Sequence, residues 1–193
     1  MPMYEVEHIC PLTPSQKDDL AEAITKIHSE LFIAPRLFVN VRITDISEHR
    51  TYVAGKRRKR NRIVAHIRPS SQRTRAHFRT LCSQISESWN SIITSLPQHP
   101  FNPTEVDPNK NPEYELSTIF IMGSIVGGQE ASFEIPEAGG EEQWMRQNWV
   151  EFKRRADAGE EEWQEMIQDV EERGLLGDGG GEGKGTNGTK HEE

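Results

Sequence analysis

Twice along its first two-thirds this chain runs strand, helix, strand, and that doubling constrains the fold more than any other feature. The first unit opens on Met3-Tyr4-Glu5-Val6-Glu7-His8, a short strand-like run. A helix is predicted after Leu12-Thr13-Pro14-Ser15, because Thr13 can cap it and Pro14 falls in the first turn, where a missing N–H costs nothing. Leu20, Ile24, Ile27 and Leu31 then recur on one helical face, and Pro35 closes the segment. Residues 37–43 alternate, with Leu37, Val39, Val41 and Ile43 on one side and Phe38, Asn40 and Arg42 on the other, which is the period of a strand. The second unit repeats this with a strand over 62–68, a helix over 71–96 and a strand over 116–126. Phe78, Leu81, Cys82, Ile85, Trp89, Ile92 and Leu96 give that helix its apolar face. The predicted class is α/β (α+β): a four-stranded sheet with two helices on one face, paired in parallel within each unit through right-handed crossovers. The other sheet face is left bare. Phe38 and Val64 are expected to need cover there, which predicts an oligomer whose sheets meet in the middle.

Charge and punctuation divide the 193 residues further. From Glu137 onward there are sixteen acidic and seven basic residues, whereas the preceding part is close to neutral. Three segments are predicted: a folded domain over 1–136, an acidic helical extension over 137–173, and a disordered Gly-rich tail over 174–193. In the extension Trp144, Trp149 and Phe152 are expected to pack the first helix onto the body. Trp163, Met166, Ile167 and Val170 form a thin stripe on the second. The Pro- and Asn-rich stretch over 97–112 is longer than an ordinary connection and reads as a functional or mobile loop. The basic run over 56–62 reads as a hairpin tip. Nucleic-acid binding is the weaker reading, because no aromatic interleaving or recognition motif accompanies the charges. Cys10 and Cys82 provide neither a disulfide framework nor metal-ligand spacing. No secretory signal and no membrane-length apolar run is seen, so a cytoplasmic protein is expected.

The candidate chemistry begins at the amino terminus. A small residue after Met1 is the usual setting for removal of the initiator, which would leave Pro2 as a secondary ring amine. An α-amino group titrates near pH ~8, and desolvation lowers that value, so such an amine can act as acid or base at neutral pH. His28 lies beside the apolar face of the first helix, where a structural role competes with a catalytic one. Arg68, Arg73 and Arg75 gather where the third strand gives way to the second helix, a place suited to an anion. Glu130 follows Gly123 and Gly127-Gly128 in the loop leaving the last strand, as a functional or a surface carboxylate.

Taken together, Pro2, the stretch from Leu12-Thr13-Pro14-Ser15 to His28, Pro35-Arg36-Leu37-Phe38-Val39-Asn40-Val41, the strand over 63–67 with Arg73, and Gly123 with the segment over 130–136 resemble the tautomerase superfamily. The nearest resemblance is to the group around cis-3-chloroacrylic acid dehalogenase and to fungal oxalocrotonate tautomerase-like proteins, over roughly residues 2–150. It implies a cytoplasmic homotrimer of the MIF-like tautomerase fold that uses no cofactor and no metal and acts on a small carboxylate or keto-acid substrate. By position Pro2 would be the general acid or base, His28 and Glu130 would orient substrate or water, and Arg73 would hold a carboxylate. The family's other arginine falls on Ser70, leaving Arg68 or Arg75 to supply that charge. Its tyrosine falls on Ile121, beside Phe120. These departures move the expectation from dehalogenation to tautomerisation or hydration. Two further readings stand beside it: a non-catalytic trimer that binds through the basic hairpin, and a secondary-metabolism isomerase with a larger, less charged substrate.

Overall fold

A computed structural model describes residues 1–94, 113–123 and 125–176. The predicted loop over 97–112 and the tail from 177 onward lie outside the described residues. Four strands form one mixed sheet in the order β2 (Asn40–Asp45), β1 (Met3–His8), β5 (Asn61–His66), β6 (Leu116–Met122). β1 pairs parallel with β2, β5 pairs parallel with β6, and β1 and β5 join the two units antiparallel at the centre. The helices α1 (Pro14–Phe32) and α2 (Arg75–Thr94) pack on each other and share one core with the sheet.

Local chemistry accounts for the helix ends. Thr13 and Gln16 form a reciprocal capping box, with Gln16 N donating to Thr13 Oγ1 at 3.2 Å and Thr13 N donating to Gln16 Oε1 at 3.0 Å. The inward row of α1 is Leu20, Ile24 and His28, spaced by four, so the histidine completes the buried row rather than standing beside it. Tyr4, Val6, Ile63, Ala65, Leu81, Ile85 and Trp89 fill the core, and the Trp89 indole N–H donates to the Tyr114 carbonyl at 2.8 Å.

Three expectations are corrected. The run over 37–43 is not one strand: residues 36–38 form a 3₁₀ turn and β2 begins at Asn40, so Phe38 leaves the sheet and is buried in a second core. The second helix starts at Arg75, since residues 71–74 are turn and bend with Arg73 N donating to the Ser70 carbonyl. The bare sheet face is mainly polar over β2, β1 and β5, where Glu5 pairs with Arg42 and Glu7 with Arg62. Its apolar part is concentrated at β6, with Phe120 51% and Met122 44% exposed. Of the basic run, Lys56 and Arg57 form one arm of an exposed hairpin, β3 (Tyr52–Val53) with β4 (Lys56–Arg57), whereas Asn61 and Arg62 already belong to β5.

The second core joins the amino terminus to the helical extension. Met1, Phe38, Met145, Phe152, Trp163, Met166 and Val170 bury one another. They bring α3 (Glu141–Asp157) and α4 (Glu161–Glu172) against the 3₁₀ turn. Phe152 stacks on Trp163 at a centroid separation of 4.9 Å, and Phe38 meets Trp144 edge-on at 5.2 Å. Polar anchors complete the seam: Arg173 donates to the Ser29 and Ala34 carbonyls, and Arg36 N donates to Asp169. Among the described residues no helix is long and apolar enough to cross a membrane.

Candidate active site

At the seam between these two cores lies a cavity lined by Met1, Pro2, His28, Phe38, Arg68, Arg73 and Glu141, with Trp144 and Met145 closing its apolar side. Pro2 enters from the start of β1, where its carbonyl accepts from Asn40 N at 3.2 Å. The side chain of Met1 lies among Phe38 and Met145, and the space left measures about 20 Å³, the room of about one water. Burial and then the Arg68 guanidinium lower the pKa of the Met1 amino group to about 5. The Met1 amino group is therefore neutral at physiological pH.

His28 is 1% exposed, and its Nδ1 lies 2.7 Å from the Tyr4 hydroxyl. Burial raises the pKa of Tyr4 far above the ordinary phenol value, and burial with Arg73 nearby lowers that of His28 to about 3. Two neutral groups share this bond. The phenol must be the donor, because Nδ1 is the acceptor within its reach, and a phenol hydrogen without an acceptor is costly in a dry site. His28 Nε2 then carries the ring hydrogen. It is buried without a hydrogen-bond partner among the described residues, on a histidine that lines the cavity. A neutral imidazole presented this way is a hydrogen-bond donor to an oxygen, not a base.

The histidine also leaves a signature in stability. Its folded pKa lies below its unfolded value of about 6.5, so between these values the unfolded chain binds a proton that the folded chain refuses. Stability is expected to fall as pH drops below ~6.5, by about 1.4 kcal/mol per pH unit from this group. Urea unfolding at pH 6.5 and 4.5 should show this slope in the wild-type chain and a shallower one in His28→Gln.

Arg68 is 5% exposed, and Arg73 is held close by: its Nη1 donates to the Arg68 carbonyl at 3.0 Å and its guanidinium lies 4.9 Å over the Phe32 ring. The two arginines share one carboxylate oxygen. Glu141 Oε1 accepts from Arg68 Nη2 at 3.1 Å and from Arg73 Nη2 at 3.0 Å. Its Oε2 accepts from Gly139 N at 2.6 Å. Gly139 has φ +94°, and a Cβ there would come within 3.3 Å of the Gln72 side chain, so glycine suits the turn that delivers Glu141. Burial lowers the Arg68 pKa, opposed by Glu141. Arg68 Nε and Nη1 are buried without partners among the described residues.

Glu130 ends β7 (Gln129–Glu130), which pairs with β8 (Phe133–Glu134) through Ala131 and Ser132, both at positive φ. Such a turn favours Gly or Asn, so this strained pair marks the loop that fixes Glu130. Asn40 Nδ2 donates to Glu130 at 3.3 Å, and burial raises the carboxyl's pKa despite that bond and the nearby chain amine.

Of the sequence candidates, Pro2, His28, Arg68 and Arg73 line one cavity, and Glu130 stands within electrostatic reach of the chain amine. Two candidates stand apart from it. Arg75 opens α2 exposed to solvent and outside the cavity lining, because the helix begins there and turns its first residues outward. Ser70 contributes its carbonyl to the Arg73 turn, and its hydroxyl is buried without a partner among the described residues. Arg68, like Arg73, pairs with Glu141. Ile121 packs into the sheet core, yet a phenol reaches His28 from Tyr4. Tyr4 and Glu141 were not among the sequence candidates. Tyr4 sits two residues from Pro2 on the inward side of β1, a signal present in the alternation. Glu141 had none, being one glutamate in an acidic stretch. Among the described residues no group of three or more His, Cys, Asp or Glu is placed to hold a metal ion.

A family model described as "Putative oxalocrotonate tautomerase enzyme" matches residues 1–100. Among solved structures, the chain is similar to N1, a member of the cis-3-chloroacrylic acid dehalogenase family. The identity is 20%, covering 75% of this chain and 90% of that one, with a TM-score of 0.52. It is also similar to a probable enzyme from the thermophilic fungus Aspergillus fumigatus, at 18% identity over 77% of this chain and 94% of that one, with a TM-score of 0.51. At these identities the likeness concerns the fold. No curated protein matches the chain.

Proposed function

The chain belongs to this oxalocrotonate tautomerase-like family, and from that premise we propose that it is a cofactor-independent tautomerase whose acid–base group is the ring nitrogen of Pro2, freed by removal of Met1. One observation carries the reading: Pro2, the buried Arg68, Arg73 and His28 with its unpartnered Nε2 line the same largely apolar cavity. Removal of Met1 opens the space its side chain fills between Phe38 and Met145 and moves the amine onto Pro2.

Pro2 then carries one proton between its ring nitrogen and the α-carbon of a carbonyl substrate. The carbonyl oxygen gains negative charge as the enolate forms. Arg68 and His28 each carry an unpartnered buried donor, and donors set in advance in a dry site stabilise the developing charge on such an oxygen. Arg73 holds Arg68 through its carbonyl and adds positive potential. Tyr4 keeps His28 in its donor form. Residues 1–136 form the catalytic domain of a homotrimer, and the segment over 137–173 closes its pocket. Glu130, held near the amine by Asn40, favours a second reading in which it orients water for hydration of an unsaturated substrate.

Covalent labelling tests the amine. An acetylenic ketone is expected to modify the processed chain once, with the adduct on Pro2 by peptide mass spectrometry. Labelling should be strong at neutral pH, because the buried, cationic surroundings that lower the Met1 amino pKa also border Pro2. A chain that retains Met1 in the cell, or an adduct on lysine alone, removes Pro2 from the mechanism.

A further inference from the structure

In the pocket just described, the arginine pair is already engaged by a carboxylate of the chain itself. We propose that Glu141 sets the charge selectivity of the site, so that the substrate is a neutral carbonyl compound with an apolar or aromatic substituent rather than a carboxylate. This inference rests on the reading of the cavity as the substrate site.

Three observations support it. First, Glu141 Oε1 takes Nη2 of both Arg68 and Arg73, the two donors that would otherwise converge on an incoming anion. Two guanidiniums and one carboxylate leave a single positive charge, and Glu130 stands near the amine as a further acid. Second, Glu141 is not a loose side chain. Its other oxygen accepts from Gly139 N at the start of α3, where the helix dipole favours a negative group. The helix itself is anchored by Met145 and Phe152, buried at 1% and 0% exposure. A substrate carboxylate would have to displace two charge-assisted bonds and leave a half-buried carboxylate unpaired, or lie beside it as a like charge. Third, the donors left over are scattered rather than arranged as a fork for a carboxylate, because Nη2, which lies between Nε and Nη1 of Arg68, is taken by Glu141. Arg68 Nε and Nη1 and His28 Nε2 are unpartnered, while the remaining wall is Ala34, Pro35, Phe38, Pro136, Trp144 and Met145, which suits a hydrocarbon body.

The test is binding, which does not require turnover. Phenylacetate and phenylacetamide have the same shape and differ in charge. Their dissociation constants are measured by tryptophan fluorescence, since Trp144 lines the cavity, on the full chain beginning at Pro2. The wild-type chain is expected to bind the amide at least as tightly as the acid. Glu141→Gln, which keeps the size and an acceptor, is expected to tighten phenylacetate tenfold or more and to change phenylacetamide less than twofold. Glu142→Gln removes the same charge from the exposed side of that turn and should change neither. A wild-type preference for phenylacetate of tenfold or more overturns the proposal whether or not the variant folds, and so does a Glu141→Gln chain that shifts both ligands alike. Measured in parallel in Pro2→Ala, the selectivity should persist. A failure of proline catalysis with selectivity intact therefore separates the two claims.

Discussion

Pro2→Ala in the processed chain is expected to slow ketonisation of an enol about 10²-fold with the fold intact. Alanine leaves a primary amine in the same dry place, so the base is not removed. What is lost is the ring, which fixes the direction of the nitrogen lone pair. Displacement of a reacting group by about 1 Å costs on the order of 10² in rate. Folding should be spared because the hydrogen bond holding this position uses the Pro2 carbonyl, accepting from Asn40 N, which alanine keeps. The measurement is kcat/KM for the enols of phenylpyruvate and of its methyl ester, followed by loss of enol absorbance. The loss should appear mainly in kcat. Wild-type activity should also extend below the ordinary α-amino pKa of about 8, since the base form is the active one and the buried, cationic surroundings that lower the Met1 amino pKa also border Pro2. Equal rates for the two chains, or an acid limb at pH ~8, count against the assignment.

Phe152→Ala is expected to be the most destabilising single change in the extension, at about 3–5 kcal/mol. Phe152 is fully buried, with Trp163 stacked at 4.9 Å, Phe133 edge-on at 5.0 Å and Trp144 at 5.3 Å. Removing the ring opens a void among side chains that large aromatics hold apart, and such a site collapses poorly. For a chain of this size the melting temperature should fall by roughly 10 °C. The effect should reach the pocket, because α3 also carries Glu141, Trp144 and Met145. Thermal unfolding by circular dichroism, with the binding of phenylacetamide measured at 25 °C, reads both consequences. A change of under 1 °C would mean that α3 and α4 are not integral to the folded unit.

These two sites differ in how far they could be read in advance. Pro2, His28, Arg68, Arg73 and Glu130 are legible because each sits at a defined place in a repeating pattern: a strand start, a helix row, a strand-to-helix junction, a loop after glycines. The capping box at Thr13 and Gln16 and the hairpin over 52–57 are equally local. Glu141 is not legible, since it is one of sixteen acids after position 136 and its partners lie 68 and 73 positions earlier. Arg75 lies apart for the converse reason. Its spacing matches that of the arginines that do converge, but the bend over 71–74 sends it outward.

Periodicity and capping determined the doubled strand–helix–strand plan, since side-chain alternation and helix-end chemistry act over a few residues and need no knowledge of the rest. Tertiary structure decided which face each unit presents, that Phe38 leaves the sheet for a second core with Met1, and that an acidic extension supplies a wall and a carboxylate to the pocket. Those outcomes depend on burial and on charges meeting across long separations in the chain, and such energies exist only once the chain has closed on itself.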